Sequence, residues 1–174
     1  MKKALYIIVG LGIISLIVYA VLGGFKTVEI SVNEKPQVHI AGTFFSGKIG
    51  SDTLQSLFMQ SKKLVETEET ASSIAIVYFG EADTKSGKVE NFIGVVVGDD
   101  PIHKMPENWE IKSFSSKQSI KGCIEANVLA MPTPDDMLED LRSHASERNI
   151  QTDSVFIEYY PGPNQLCVEL LTTE

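Results

Sequence analysis

The sequence predicts an α+β domain, an antiparallel sheet with two helices on one face, preceded by an N-terminal transmembrane helix. Three observations predict it. An uncharged apolar run opens the chain, the order strand, helix, strand, strand occurs twice, and the hydrophobic period switches between two and 3.6 residues within each copy. At 174 residues and 43% hydrophobic content, the chain holds material for one ordinary domain and its core but not for two large ones.

The opening "MKKALYIIVGLGIISLIVYAVLGG" has no charge from Ala4 to Leu22, close to the ~20 residues that cross a bilayer's hydrocarbon layer. Residues 1–24 therefore read as a membrane anchor. The alternative is a secretory signal, because Val18 to Ala20 resembles a cleavage site. Length favours the anchor, since a signal's apolar core runs ~7–15 residues. Tyr6 and Tyr19 also stand near the two ends, where aromatic rings favour the interface. Lys2 and Lys3 draw the N-terminus toward the cytoplasm, opposed by Lys26 and Lys35. The expectation is a single-pass membrane protein with an extracytoplasmic domain.

Residues 25–174 hold that domain, as two repeats of about 27–99 and 116–172 joined by a connector, 100–115. In the first, "TVEISVNEKPQVHIAGTFF" reads as strand, turn and strand. "SDTLQSLFMQSKKLV" is a helix with Ser51 or Asp52 as N-cap and Leu54, Leu57, Phe58, Leu64 and Val65 on one face. "SSIAIVYF" and "VENFIGVVVG" follow as strands around the loop "GEADTKSGK". In the second repeat, "SIKGCIEANVLA" is a strand, and "TPDDMLEDLRSHASER" is a helix with Thr133 as N-cap and Pro134 at its first position. "SVFIEYY" and "QLCVELL" complete it around Pro161-Gly162-Pro163, and the connector holds a short strand near Trp109 to Phe114. Two such units side by side create a pseudo-twofold axis, with a cleft on that axis as the place for a ligand.

Acidic residues outnumber basic ones, 23 to 15, and setting aside Lys2 and Lys3 makes the rest more acidic still. Such a surface repels phosphate backbones, which excludes nucleic-acid binding and favours a neutral or cationic partner. His39, His103 and His144 are scattered, and the two cysteines have no zinc spacing, so no metal site is expected. The usual catalytic and phosphate-binding motifs are absent, and no cofactor is implied.

Strand alternation in the second repeat sorts Ile120, Ile124, Val128, Leu166, Val168 and Leu170 onto one face, with Val155 and Ile157 assigned beside them toward the helix. Glu125, Glu158 and Glu169 then share the opposite, open face. For Glu125 and Glu169 that face reads as wet. Glu158 differs, because Phe156 and Tyr160 flank it, and aromatic rings around a carboxylate form a cation-selective cavity. Tyr78 divides between core and pocket, and Trp109 between a lid over the cleft and a hydrophobic plug. Cys123 and Cys167 share a face, so a disulfide is feasible in an oxidising compartment; two buried small residues are the alternative.

The duplicated unit, with "SSIAIVYFG", "FIGVVVG" and "FIEYY", resembles the GyrI-like effector-binding domain, related to the SOUL group. It is most similar to that family's membrane-anchored branch, which includes the testis-expressed ER-phagy receptor. The resemblance spans about Thr27 to Leu171. It implies a cleft for hydrophobic, often cationic molecules, lined by an E-x-Y pattern that falls here on Glu158 and Tyr160, with Tyr78 as the first repeat's tyrosine. No helix-turn-helix precedes the domain and no long tail follows it, so neither transcriptional control nor tail-borne recruitment is expected. Three functions follow: a membrane-tethered, non-catalytic small-molecule binder; a hydrolase of strained electrophiles using Glu158; and a membrane-surface interaction scaffold. The ligand-binding residues expected are Glu158, Tyr160, Phe156, Tyr78 and Trp109.

Overall fold

The computed structural model describes residues 2–80, 86–98 and 105–173, with side chains in the first helix described from Tyr6 onward. Most of the "GEADTKSGK" loop, the first residues of the connector with His103, and Glu174 lie outside the described residues. The elements are α1 (Lys2–Val21), β1 (Glu29–Glu34), β2 (Gln37–Lys48), α2 (Asp52–Thr67), β3 (Ala71–Tyr78), β4 (Lys88–Val97), β5 (Glu110–Ser115), β6 (Gln118–Glu125), α3 (Pro134–Glu147), β7 (Thr152–Gly162) and β8 (Gln165–Thr172).

Local chemistry sets both domain helices. Ser51, in extended conformation, accepts the Leu54 N–H and starts α2. Thr133 starts α3 through a capping box with Asp136, with Pro134 in the first turn. The hydrogen bonds from Thr133 hold the Asp136 carboxyl below its ordinary range. α1 carries apolar side chains on all sides, and those from Tyr6 to Val21 are exposed apart from Gly10. Among the described residues no helix is long and apolar enough to cross a membrane.

All eight strands form one antiparallel sheet in the order β1-β6-β8-β7-β3-β4-β2-β5. The order is a palindrome about the β7–β3 seam, which is the pseudo-twofold axis of the duplication. Each half also lends a strand: β1 pairs with β6 of the second half, and β5 pairs with β2 of the first. Only Lys35 and Pro36 separate β1 at one edge from β2 near the other. So short a link can span the sheet only if the sheet curls until its ends meet. Two connector hydrogen bonds mark that meeting, Lys35 N–H to Lys117 O at 2.9 Å and Ser116 N–H to Pro36 O at 3.3 Å. Within the sheet Gly42 lies opposite Gly94. A Cβ on Gly94 would stand 2.0 Å from the Ala41 carbonyl oxygen, so β2 and β4 approach in a way only glycine permits.

The curl corrects one expectation. The face away from the helices is not open: Ile40, Ala75, Val77, Phe92, Ile157, Tyr159 and Cys167 form a core inside the curl. The helices cover the outer face, where α3 packs on Ile120, Ile124, Val168 and Leu170. α2 covers Phe45, Ile76, Val89 and Ile93. Cys123 and Cys167 stand opposite each other on β6 and β8 and form a disulfide.

Candidate functional site

Across the central seam β3 and β7 are paired, with Ile76 opposite Glu158 and Tyr78 opposite Phe156. Ile76 belongs to the core beneath α2, and Glu158 is opposite Val168 of the core beneath α3. Glu158 therefore lies on the helix-covered face. This overturns its expected place on the open face with Glu125 and Glu169. The physical reason is that Phe156 to Tyr159 are all buried, because one side of β7 meets the helices and the other the interior of the curl. Aliphatic residues alone could not tell these two sides apart.

Between the helices and this seam is a cleft of about 670 Å³. Tyr78, Phe156, Glu158 and Tyr160 line it from the sheet, and α3 supplies Asp135, Leu138, Glu139 and Arg142. The Tyr78 and Phe156 rings stack with centroids 4.6 Å apart and planes 7° from parallel. Phe58 of α2 meets the edge of Tyr160 at 5.7 Å. Glu158 is only 5% exposed, so it must be partnered. Tyr160 donates its hydroxyl to Glu158 Oε2 at 2.7 Å, and Tyr78 donates to the same oxygen at 3.3 Å.

Burial raises the Glu158 carboxyl from its ordinary 4.5 to about 7. The two tyrosine hydrogen bonds oppose the rise, and the Asp135 charge adds to it. Burial first and the Glu158 charge second push both phenols up, so they remain protonated donors. Among the described residues no ion pair reaches Glu158. The site thus offers a carboxyl group whose titration is raised to about 7, with aromatic walls.

Four of the five expected residues converge here: Glu158, Tyr160, Phe156 and Tyr78. Trp109 does not line the cleft. It is 4% exposed and packs with Ala41, Leu64, Ala71, Val95 and Val97, so it is a plug in the core and not a lid. The α3 residues of the wall were not anticipated. Their signal was the spacing of Asp135, Leu138, Glu139 and Arg142, which places them on one stripe of a helix.

Glu125 is exposed as expected, but Glu169 is 6% exposed and lies inside the curl. Ser119 donates to its Oε1 at 2.5 Å and Tyr159 to its Oε2 at 2.8 Å. Lys121 Nζ stands 3.5 Å from Oε2 and 4.1 Å from the centre of the Tyr159 ring. Glu169 is a buried ion-pair partner, where a wet-face residue had been expected.

The sequence matches no protein-family model and no curated protein. Solved structures do resemble it. A hydrolase from Listeria innocua superposes with a TM-score of 0.56 at 8% identity, over 83% of this chain and 92% of that one. The EcmrR C-terminal domain gives 0.57 at 8%, covering 86% and 99%. EcmrR in its DNA-bound transcription complex gives 0.58 at 8%, covering 99% of this chain and 70% of that one. These likenesses establish the fold alone: an α+β domain with a curled antiparallel sheet, shared with these proteins.

Proposed function

We propose that the cleft binds a hydrophobic small molecule bearing a positive charge, without turnover, and that α1 tethers the domain to a bilayer on its extracytoplasmic side. The observation that carries the binding reading is Glu158, a buried carboxylate with aromatic neighbours and no ion pair among the described residues. A cation entering the cleft would supply the missing charge, while Tyr78, Phe156 and Tyr160 enclose its apolar body. The tether is read from the sequence, where the run from Ala4 to Leu22 carries no charge. Its exposed apolar side chains lie all round, where a helix pairing with one partner would confine them to a stripe. The Cys123–Cys167 disulfide fits an oxidising compartment.

A carboxyl that titrates near 7 is also suited to general acid–base chemistry, which keeps hydrolysis of an already reactive substrate as the second reading. No serine, cysteine or histidine lines the cleft among the described residues, so such chemistry would rest on Glu158, with Asp135, Glu139 and Arg142 also in the lining. The scaffold reading required an open sheet face, and that face is buried.

The test is thermal stabilisation of the full chain in detergent by tetraphenylphosphonium, beside neutral triphenylphosphine oxide. The cation is expected to stabilise the protein more than the neutral compound, with Glu158→Gln weakening its affinity about tenfold, or ~1.4 kcal/mol. Wild-type affinity should rise as pH passes through about 7 and the carboxylate ionises. Equal binding by Glu158→Gln overturns the reading, and turnover of a strained electrophile by the wild type alone replaces it with the hydrolase.

A further inference from the structure

Where α1 ends, the chain is tied to a loop from the second half of the domain. The Asn127 N–H donates to the Leu22 carbonyl at 2.9 Å. Gly23, at φ +86°, sits so near that a Cβ there would be 3.2 Å from the Ala126 Cβ. The same Asn127 builds the turn that follows. Its carbonyl accepts the N–H groups of Ala130 and Met131 at 2.8 and 3.0 Å, and its Oδ1 accepts that of Leu129 at 3.1 Å.

This scaffold holds Val128 and Leu129 outward, 71% and 83% exposed. Turn tips ordinarily carry Gly, Asn, Asp or Ser. A pinned turn that displays two adjacent aliphatic side chains is therefore built against the usual surface chemistry. Phe25 stands on the same exit segment, 64% exposed and edge-on to Tyr19 at 5.2 Å, with Lys26 next in the chain.

We propose that Val128, Leu129 and Phe25 form a second membrane contact, entering the interfacial layer of the bilayer that holds α1 and fixing the attitude of the domain. This rests on the tether reading above. The occupant follows from position: Leu22 is where the apolar run of α1 stops, and one hydrogen bond joins it to the turn bearing Val128 and Leu129. Side chains so close to the exit meet lipid before any other partner. The formal charge of −8 opposes anionic headgroups, so the matching surface is zwitterionic. A helix leaving through Gly23-Gly24 would otherwise let the domain pivot. The turn also runs through Pro132 into the Thr133 cap and the Pro134–Asp135 wall of the cleft, so the contact sets how the cleft faces the membrane.

The experiment uses the full chain in phosphatidylcholine vesicles with and without brominated lipid, comparing Leu129→Trp, Met59→Trp and the native protein by tryptophan fluorescence. Trp109 is buried and Met59 is exposed on α2. The expected result is a blue-shifted emission for Leu129→Trp that brominated lipid quenches strongly, with neither native Trp109 nor Met59→Trp affected. If the protein floats with the vesicles after a high-salt wash but Leu129→Trp responds like Met59→Trp, the second contact is overturned and the tether stands. If the protein does not float with the vesicles, the tether fails and the contact with it.

Discussion

Glu158 and Glu169 stand on neighbouring strands and face opposite sides of one sheet. Each is almost wholly buried and each accepts two hydroxyl groups, Glu158 those of Tyr78 and Tyr160, Glu169 those of Ser119 and Tyr159. They differ in one respect: Glu169 has Lys121 beside it, and among the described residues no ion pair reaches Glu158. A buried carboxylate with an internal cation is a finished structural element. One without it retains an unmet electrostatic demand at the centre of a cleft. The inner carboxylate is paired within the fold, whereas the outer one is met, among the described residues, by tyrosine hydroxyls.

Breaking the inner pair should have the largest effect. Lys121→Met keeps the apolar stem over Tyr159 but strands the Glu169 carboxylate, which is expected to cost about 3 kcal/mol, the low end for a buried pair because Lys121 keeps some exposure. Urea unfolding at neutral pH measures it, and the double variant Lys121→Met/Glu169→Gln should recover most of the loss. If Lys121→Met costs nothing, the inner glutamate is no better satisfied than the outer one and the contrast collapses.

The outer glutamate should respond in the opposite sense. Its folded value, about 7, lies above the ordinary 4.5, so between those pH values the folded state holds more protons than the unfolded one. Stability of the ligand-free protein therefore falls as pH rises from about 4.5 to 7 and levels off above. Glu158→Gln removes that fall. It should be more stable than wild type by about 2–3 kcal/mol at pH 8 and nearly equal to it at pH 4. Urea midpoints across this range decide it; a Glu158→Gln protein that is less stable at pH 8 would show that the carboxylate is satisfied from within.

The smallest effects separate the two hydroxyls. Tyr160→Phe removes the shorter hydrogen bond and should move the Glu158 midpoint further above about 7, with a cost of about 1 kcal/mol at pH 8. Tyr78→Phe, which loses the 3.3 Å contact, should do less. Titration of Glu158 by carbon-13 NMR ranks them, and a reversed order would mean that Tyr78 is the main donor when the carboxylate is charged.

Much of the fold was legible because its signals are local. Ser51 and Thr133 announce the starts of α2 and α3 by the backbone donors they satisfy. The repeated strand–helix–strand–strand order needs only a change of period to be read. Glu158, Tyr160 and Phe156 were legible as a cluster because a carboxylate among aromatic rings is costly wherever it lies. The error was one of side. Alternation groups Phe156, Glu158 and Tyr160 together correctly, but it does not say which layer they meet when both sides of β7 are buried.

What the sequence by itself determined is therefore the set of elements, their duplication, and which side chains travel together on each strand. These depend on residue type and spacing within a few positions. The tertiary structure alone decided that the sheet curls until Lys35-Pro36 can join its two ends, that this curl buries Glu169 with Lys121, and that α3 walls the cleft over Glu158. Those outcomes depend on strand order and register between segments far apart in the chain, Cys123 meeting Cys167 and Tyr78 meeting Phe156. A pattern of period two carries no information about which strand lies beside it.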